Sequence, residues 1–451
     1  MDKLQIYLQI IPLPVLVGVM AVAGLVWMMI PSSQRLWFMI ALMPPWLFLS
    51  KCLDLGPIQA ATKLSSGLMF LMVALAAWLR PVDRRPIPGA AWLYVAASLY
   101  MIACVIGTVN RTEMILLKGQ YLALCFAAIM TVSTIQDLDD FARLMKSVAI
   151  GTTIAICIAA AGLFIEGRDA FVAGLHRFGP WGSAPNLIGI TFAIAGGMLL
   201  YLILTTPRGM VRLGCMGLLG LDISFAFLTG SRMSFLSLAV ICVLMLFPLV
   251  RRPGLFITGA VFAAGVLMAV SGIQEGAGAR LMETHTSGRI GLWIDYLGLA
   301  FSRPLGLLGT SGNDGLMDLT INNHAHNAWI DMLYVGGFPL LLMLAIPAFK
   351  AAKAIWRSWR MRNLLPTNEQ RLVVHTSASI MAAMFLQSMT NQTLYFPTYT
   401  WAFLGVVFFV FFMAWEEQDL PWVEEAWWDE AQRMEQYEGE FDDGDEQLAP
   451  A

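Results

Sequence analysis

Long apolar segments, separated by short polar ones, recur along almost the whole chain. Residues 260–271 and 401–415 contain no charged side chain. About 20 apolar residues allow an α-helix to cross the hydrocarbon of a bilayer, where only helices and closed barrels satisfy their backbone. The pattern predicts an all-α polytopic membrane protein with twelve or thirteen transmembrane helices. The apolar windows lie near residues 12–30, 36–50, 66–79, 91–107, 115–135, 145–165, 186–206, 211–228, 233–250, 254–271, 327–349, 372–390 and 397–415.

The composition excludes a soluble globular protein and separates the C-terminus from the rest. Of the 451 residues, 58% are hydrophobic and only 13% are charged, whereas soluble domains carry about 25% charged residues. Residues 416–451 differ, because they hold fourteen acidic residues and one basic residue, Arg433. We therefore expect a membrane domain over residues 1–415 and an acidic, disordered cytoplasmic tail over residues 416–451.

The distribution of lysine and arginine in short loops predicts the orientation. Alternation through the predicted helices brings five basic clusters to one side, which the positive-inside rule makes cytoplasmic. The long segment 272–326 is then a periplasmic loop. The clusters are Arg80 with Arg84 and Arg85; Arg143 with Lys146; Arg208 with Arg212; Arg251 with Arg252; and Lys350, Lys353, Arg357, Arg360, Arg362 and Arg371.

The densest histidine cluster lies where this long loop meets an apolar window, in the sequence NNHAHN at 322–327. His324 and His326 could ligate zinc if a third ligand converged, or could be polar residues at a helix start that an asparagine such as Asn327 caps. A neutral imidazole at the membrane–water boundary could instead accept a proton from a hydroxyl group, since its pKa lies near ambient pH. The absence of any further Cys/His cluster in the sequence argues against a metal site.

Arginines also persist on the predicted periplasmic side. Arg177, Arg232, Arg280 and Arg289 lie in the loops there or at the helix ends that border them. Each could be an interfacial arginine that extends to water, or part of a solvated helix face. Together they favour an anionic ligand, because bidentate guanidinium contacts hold phosphate oxygens without a metal.

A glycine-rich segment, residues 304–315, precedes the histidine cluster. It lacks the Gly-Lys-Ser/Thr ending of a nucleotide-binding P-loop, and it lies on the wrong side of the membrane for cytoplasmic nucleotide. We interpret it as a flexible connection that lets His326 approach the arginines.

These residues resemble motifs of the O-antigen ligase and O-antigen polymerase superfamily, whose members are polytopic bacterial glycosyltransferases. The resemblance covers roughly residues 151–413. Leu340 departs from it, because the ligase-type pattern has a small residue or tyrosine there. The matching motifs are Arg177-Phe-Gly with Pro185-Asn186; Thr-Gly-Ser before Arg232; and Gly288-Arg289 with Trp293, Pro304, Gly306 and Gly309, followed by His326-Asn327 and Gly337.

The resemblance implies that a glycan on undecaprenyl diphosphate is attacked by a sugar hydroxyl on the periplasmic side of the inner membrane, without metal or cofactor. The acceptor stays open: lipid A core for a ligase, a growing glycan for an O-antigen or exopolysaccharide polymerase, or a protein side chain for an oligosaccharyltransferase. Nucleic acid is not an expected partner. In the implied site His326 is the base, Arg232 and Arg289 bind the diphosphate, and Arg177, Asn186, Arg280, His324 and Asn327 contact substrate.

A transporter or flippase of lipid-linked glycan is the alternative of a different class. It too could hold arginines in a cavity for an anionic lipid. Transporters, however, tend to place coupling residues at mid-membrane and to contain internal repeats. Here the charged residues gather at one face, in and near the long loop, which favours an enzyme.

Overall fold

A computed structural model describes residues 27–108, 111–172, 176–207, 209–247, 289–309, 325–391, 394–395 and 400–421, and nearly all of these ranges are helical. From Ser32 onward the described chain forms six helices, α1 Ser32–Leu49, α2 Pro57–Leu64, α3 Ser66–Trp78, α4 Trp92–Val105, α5 Arg111–Val132 and α6 Leu138–Glu166. A short antiparallel hairpin of β1 Phe171–Val172 and β2 Arg177–Phe178 follows. The remaining helices are α7 Pro185–Thr205, α8 Met210–Leu228, α9 Arg232–Leu246, α10 Arg289–Ser302, α11 Ala328–Arg360, α12 Asn368–Ser388 and α13 Thr400–Gln418.

This architecture is that of an all-α polytopic membrane protein. Among the described helices, six are long and apolar enough to cross a membrane, namely α5, α6, α7, α8, α11 and α13. The consecutive helices α2 and α3, bent by 51°, make a seventh if they count as one span. Eleven of the thirteen apolar windows correspond to these or other described helices. The window at 254–271 and most of the window at 12–30 lie outside the described residues.

Several other apolar windows form described helices that are short or polar. Helices α4 and α9 have only 14 and 15 residues, fewer than the roughly 20 that a straight span needs. Helix α12 is long enough but polar, and it packs against α6, α7, α9 and α11. Its interior position explains how it keeps so many polar side chains buried, among them His375, Thr376, Ser377, Ser379 and Gln387.

Basic residues of the described loops meet at one end of the helix bundle, which we call the basic end. Ion pairs connect the helices there, so the basic clusters that the sequence placed on one side do lie together as far as the structure describes them. Arg208, Arg251 and Arg252 lie outside the described residues. The pairs are Arg80–Asp140 at 2.9 Å, Arg85–Asp419 at 2.7 Å, Lys146–Glu369 at 2.6 Å and Arg357–Glu416 at 3.6 Å.

The first residues of the acidic segment belong to the last helix. Helix α13 continues through Gln418, and two acidic residues of this segment, Glu416 and Asp419, supply partners for the ion pairs of the basic end. The rest of the predicted tail, residues 422–451, lies outside the described residues.

Replacing Arg80 by methionine should destabilise the fold. The Arg80 guanidinium contacts both carboxylate oxygens of Asp140, at 3.0 and 2.9 Å, and both side chains are buried. Breaking such a buried pair from one side costs about 3–5 kcal/mol. Thermal unfolding of the purified protein in detergent should therefore begin at a lower temperature for Arg80→Met. The control is Arg84→Met, because Arg84 is exposed and bonds two backbone carbonyls; equal midpoints for the two variants would contradict the assignment.

Candidate functional site

The described residues of the predicted site lie at the end of the bundle opposite the basic end. Helix α11 ends among the ion pairs of the basic end, so its first residue, Ala328, lies at the other end. The side chain just before it, Asn327, donates a hydrogen bond to Met389 O, directly after α12, at 3.0 Å. We call this region the site end. It contains the starts of α7, α9 and α11 and the end of α12.

Arg177 braces the turn between α8 and α9. The hairpin carries this buried side chain across to Thr229, whose carbonyl accepts from Arg177 Nε at 2.7 Å. The second guanidinium contact is with Asn186 Oδ1, in the first turn of α7, at 2.6 Å. Pro185 begins that helix, a position where proline costs no hydrogen bond. Arg177 and Asn186 therefore support the approach to Arg232; whether they also contact a substrate stays a prediction.

Arg232 is the first residue of α9 and is half-buried. The turn before it is held by Thr229 Oγ1, which accepts from Ser231 N at 3.3 Å, while Ser231 Oγ bonds Ser234 Oγ at 2.8 Å. Ser231 thus does not cap the backbone of α9 with its side chain. A guanidinium here adds to the partial positive charge of the helix N-terminus, so this position attracts anions.

Helix α10 places Arg289 beside the histidine segment. Its inner face carries Arg289, Trp293, Tyr296 and Ala300, spaced at helical intervals. Arg289 Nη1 lies 3.5 Å from Thr390 O, just beyond α12. One turn along, Trp293 Nε1 donates to Ala325 O at 2.6 Å. The same helix face therefore holds both an arginine and the residue that precedes His326.

Asn327 fixes the backbone immediately after His326. Its Oδ1 accepts from Trp329 N at 3.0 Å and from Ile330 N at 3.2 Å, so it is the N-cap of α11. The capping role that the sequence offered for an asparagine is confirmed. His326 itself has a φ of +53°, in the left-handed region that non-glycine residues rarely occupy.

The surroundings of His326 favour the neutral form of its imidazole. Residue 326 as a whole is exposed to solvent, yet the protein around the ring partly desolvates it. This burial, followed by the nearby Arg289 guanidinium, lowers the pKa of His326 from its ordinary 6.5. A proton acceptor needs its unprotonated form at neutral pH, and both causes favour that form.

The site residues form two groups that α12 connects. Arg289, His326 and Asn327 surround the residues that follow α12, while Arg177, Asn186 and Arg232 surround the start of α9. Helices α9 and α12 pack together, and Ser237 Oγ donates to Gln387 Oε1 across them at 2.8 Å. Because the two helices are antiparallel, the start of α9 and the end of α12 lie at the same end of the bundle.

The beginning of the glycine-rich segment, residues 304–309, is hydrogen-bonded to α11, so the predicted flexible connection does not include it. Leu307 N donates to Val335 O and Phe338 N donates to Pro304 O, both at 3.0 Å. These bonds are made where α11 is interrupted, at Gly337, whose φ of 62° and ψ of −159° are not helical. The backbone groups freed by the break are satisfied by the loop. Residues 310–324 lie outside the described part of the chain.

Asp331 is a site residue that the sequence analysis did not single out. Its Oδ1 accepts from Ala325 N at 2.9 Å, and the side chain is only 2% exposed. The sequence feature that could have identified Asp331 is the presence of an acidic residue within an apolar segment, one helical turn after Asn327. Two of the predicted site residues, Arg280 and His324, lie outside the described residues.

The described arrangement offers a neutral imidazole, guanidinium groups and a helix N-terminus at one end of a membrane bundle. That combination suits proton abstraction next to an anionic group. Within the described ranges, no three His, Cys, Asp or Glu side chains are grouped so as to hold a metal ion, but His324 is outside those ranges. No protein-family model matches the chain, and no curated protein matches its sequence.

Replacing Gly337 by alanine should loosen the contact between α11 and the loop before it. A methyl group there would overlap Pro304 O, and the backbone conformation of Gly337 is one that essentially only glycine adopts. The expected loss is about 1–3 kcal/mol for the backbone conformation alone, measured as a lower unfolding temperature. The control is Gly298→Ala in α10, where a methyl group meets open space. Alanine should leave stability there unchanged or slightly raise it; the same result at both positions would contradict this account.

Proposed function

We propose that this protein is an integral-membrane glycosyltransferase that moves a glycan from undecaprenyl diphosphate to a hydroxyl group of an acceptor. The observation that carries the proposal is the pairing of His326 with Arg289 at the start of α11. Partial burial of the imidazole, and after it the nearby Arg289 guanidinium, lowers the pKa of His326, as a base requires. Arg289 can also contact an anion. Arg232, at the start of α9, supplies a second guanidinium at the same end of the bundle.

In the proposed reaction His326 accepts the proton of the acceptor hydroxyl. The acceptor oxygen then forms a bond to the anomeric carbon of the donor glycan, and the bond between that carbon and the diphosphate oxygen breaks with its electron pair. Undecaprenyl diphosphate leaves with the additional negative charge. Arg232 and Arg289 stabilise that charge by hydrogen bonds to phosphate oxygens, which is the arrangement in which guanidinium groups bind most strongly.

The proposed orientation places the site end in the periplasm and the protein in the inner membrane. The positive-inside rule assigns the basic end, with Arg80, Arg85, Lys146 and Arg357, to the cytoplasm. The opposite end then meets the leaflet in which a translocated lipid-linked glycan presents its sugars. Its diphosphate would lie at the membrane surface, at the depth of the helix starts that carry the arginines.

The acceptor class stays open between a ligase, a polymerase and a protein oligosaccharyltransferase. Leu340, the departure from the ligase-type pattern, is fully buried and packs on Gly336. A side chain at Gly336 would overlap Leu340, so the pair is a packing solution one turn from the break at Gly337. Leu340 thus has a packing role inside the bundle, and it gives no information on the class of acceptor.

A transporter of lipid-linked glycan is the second candidate, and one observation favours it. Asp222 lies within α8 and is fully buried, and within the described residues neither of its carboxylate oxygens has a hydrogen-bond partner. An ionisable residue inside a membrane bundle is a functional candidate by default, and in transporters such residues often couple ions to movement. Asp222 precedes Arg232 along the chain, lies within α8 and faces Gly196 of α7.

Replacing Arg232 by lysine should weaken diphosphate binding while the fold persists. Lysine keeps the charge but loses the planar fork that contacts two oxygens at once. The loss of one charge-assisted hydrogen bond, about 1.5 kcal/mol, corresponds to roughly tenfold in affinity. The affinity of the purified protein for undecaprenyl diphosphate measures this loss, and the measurement requires no knowledge of the acceptor. Arg143→Lys, an exposed arginine of the basic end, is the control, and unchanged affinity in Arg232→Lys would make Arg232 an interfacial residue only.

Replacing His326 by alanine should lower transfer by about 10²–10⁴-fold, the usual contribution of a general base. In the wild type, transfer should be constant above pH 6.5 and fall below it, because the pKa of His326 is lowered and its protonated form cannot accept. Reconstituted vesicles with lipid-linked donor, tested against lipid A core, glycan and protein acceptors, would provide the assay.

The same assay separates the competing mechanisms. Transfer that is lost in chelator and restored by a divalent ion would replace the base mechanism by a metal one. Asp222→Asn is the matched control for the transporter, since an asparagine cannot exchange a proton. Normal transfer in Asp222→Asn is expected; translocation of donor that depends on Asp222, without any transfer, would identify a transporter.

A further inference from the structure

The backbone turn that carries His326 is hydrogen-bonded to a buried acidic residue. Asp331 lies in the first turn of α11, is 2% exposed, and accepts a hydrogen bond from Ala325 N at 2.9 Å. An acidic residue in a first turn often only complements the positive end of a helix, which an exposed side chain achieves equally well. Asp331 is instead buried and accepts a hydrogen bond from Ala325 N, which indicates a more specific role.

The Asp331 carboxylate has charged and polar partners that come from distant parts of the chain. Lys118 of α5 is buried and interacts electrostatically with Asp331. Tyr395, before α13, hydrogen-bonds Asp331, and the ring of Tyr395 lies 4.9 Å from Lys118 Nζ. A buried carboxylate is expensive unless such partners compensate it. Three segments of the bundle therefore converge on the residue that holds the His326 turn.

Both neighbours of His326 are fixed by hydrogen bonds. Ala325 donates to Asp331 and accepts from Trp293, while the Asn327 side chain caps α11 and donates to Met389 O. His326, between them, has a φ of +53°. A non-glycine residue in this region is strained by about 1–2 kcal/mol, so it adopts the conformation because its neighbours impose it. These bonds fix the backbone from which the His326 imidazole projects.

We propose that Asp331 is a positioning residue, whose carboxylate oxygen holds Ala325 and thereby directs the His326 imidazole towards the site end. This inference rests on the proposed function, in which His326 acts on the acceptor hydroxyl. Asp331 itself touches no substrate in this account. A displacement of about 1 Å in a reacting group can cost 10²-fold in rate, so release of the turn should affect kcat while leaving the arginine contacts to the donor unchanged.

Two double variants separate the role of Asp331 as a hydrogen-bond acceptor for Ala325 N from the effect of its negative charge. Asp331→Asn with Lys118→Met, and Asp331→Leu with Lys118→Met, both remove the buried charges. Only the first keeps an oxygen that can accept from Ala325 N. We expect the leucine variant to lose about 10- to 100-fold in kcat relative to the asparagine variant, with the KM for the lipid-linked donor nearly equal in the two. A purely structural role would lower the stability and activity of both alike.

A second readout reports on the turn without transfer. Diethyl pyrocarbonate modifies accessible imidazoles, and peptide mass spectrometry resolves the rate at His326 from that at the exposed His176, the internal reference. The rate at His326 should differ between the two double variants, with the asparagine variant close to the wild type. Equal rates in the two would overturn the positioning role, whatever the transfer assay gives. A wild type without transfer rejects the proposed function and, with it, the catalytic part of this inference.

A milder variant keeps the test decisive if the leucine double variant does not fold. Trp293→Phe removes the indole donor to Ala325 O and leaves the buried network untouched. It should change the modification rate of His326 in the same direction as the leucine variant and lower kcat by a smaller factor. No change in either quantity would show that the bonds to Ala325 do not direct His326.

Discussion

The site end depends on the side chain of Asn327. Its amide oxygen accepts from the first backbone N–H groups of α11, and its amide nitrogen donates to Met389 O beyond α12. One residue therefore starts one helix and joins it to the end of another. In hydrocarbon or at its edge these backbone groups would be costly if unpaired. The hydrogen bonds that Asn327 makes thus determine where α11 begins, and hence where His326 lies.

Charge is distributed between the two ends of the bundle in different ways. At the basic end, arginines are paired with carboxylates, as in Arg80–Asp140 and Arg85–Asp419. At the site end, Arg177 donates to Thr229 O and Asn186 Oδ1, and Arg289 donates to Thr390 O. These oxygens belong to carbonyl and amide groups, and they orient the two guanidinium groups.

The sequence predicted the helices well, because membrane helices are set by local apolar length, and eleven windows became helices. It also found the cap at Asn327, because capping is a local pattern. It did not show that α12 is a polar helix packed inside the bundle, because tertiary contacts decide that. It missed the hairpin β1–β2, since two-residue strands leave no periodic signal. It also missed Asp331, because Lys118 and Tyr395 reach it only through folding. The glycine-rich segment was interpreted as flexible because composition does not reveal the break in α11 at Gly337. The backbone groups at that break bond to the beginning of the segment.

The polar interior of α12 bears on whether this bundle transports or catalyses. A transport path needs polar groups that face a cavity across the membrane. In α12 several polar groups are instead engaged within the protein: Ser379 donates to His375 O, and Ser388 donates to Phe385 O. His375 contacts Trp359 Nε1 and Leu244 O of neighbouring helices. Small hydroxyl residues used in this way allow helices to pack closely. At the site end, residues 387–390 make polar contacts with other segments. Gln387 accepts from Ser237, Met389 O accepts from Asn327, and Thr390 O accepts from Arg289. Polar contacts concentrated at one end therefore favour the proposed enzyme over the proposed transporter.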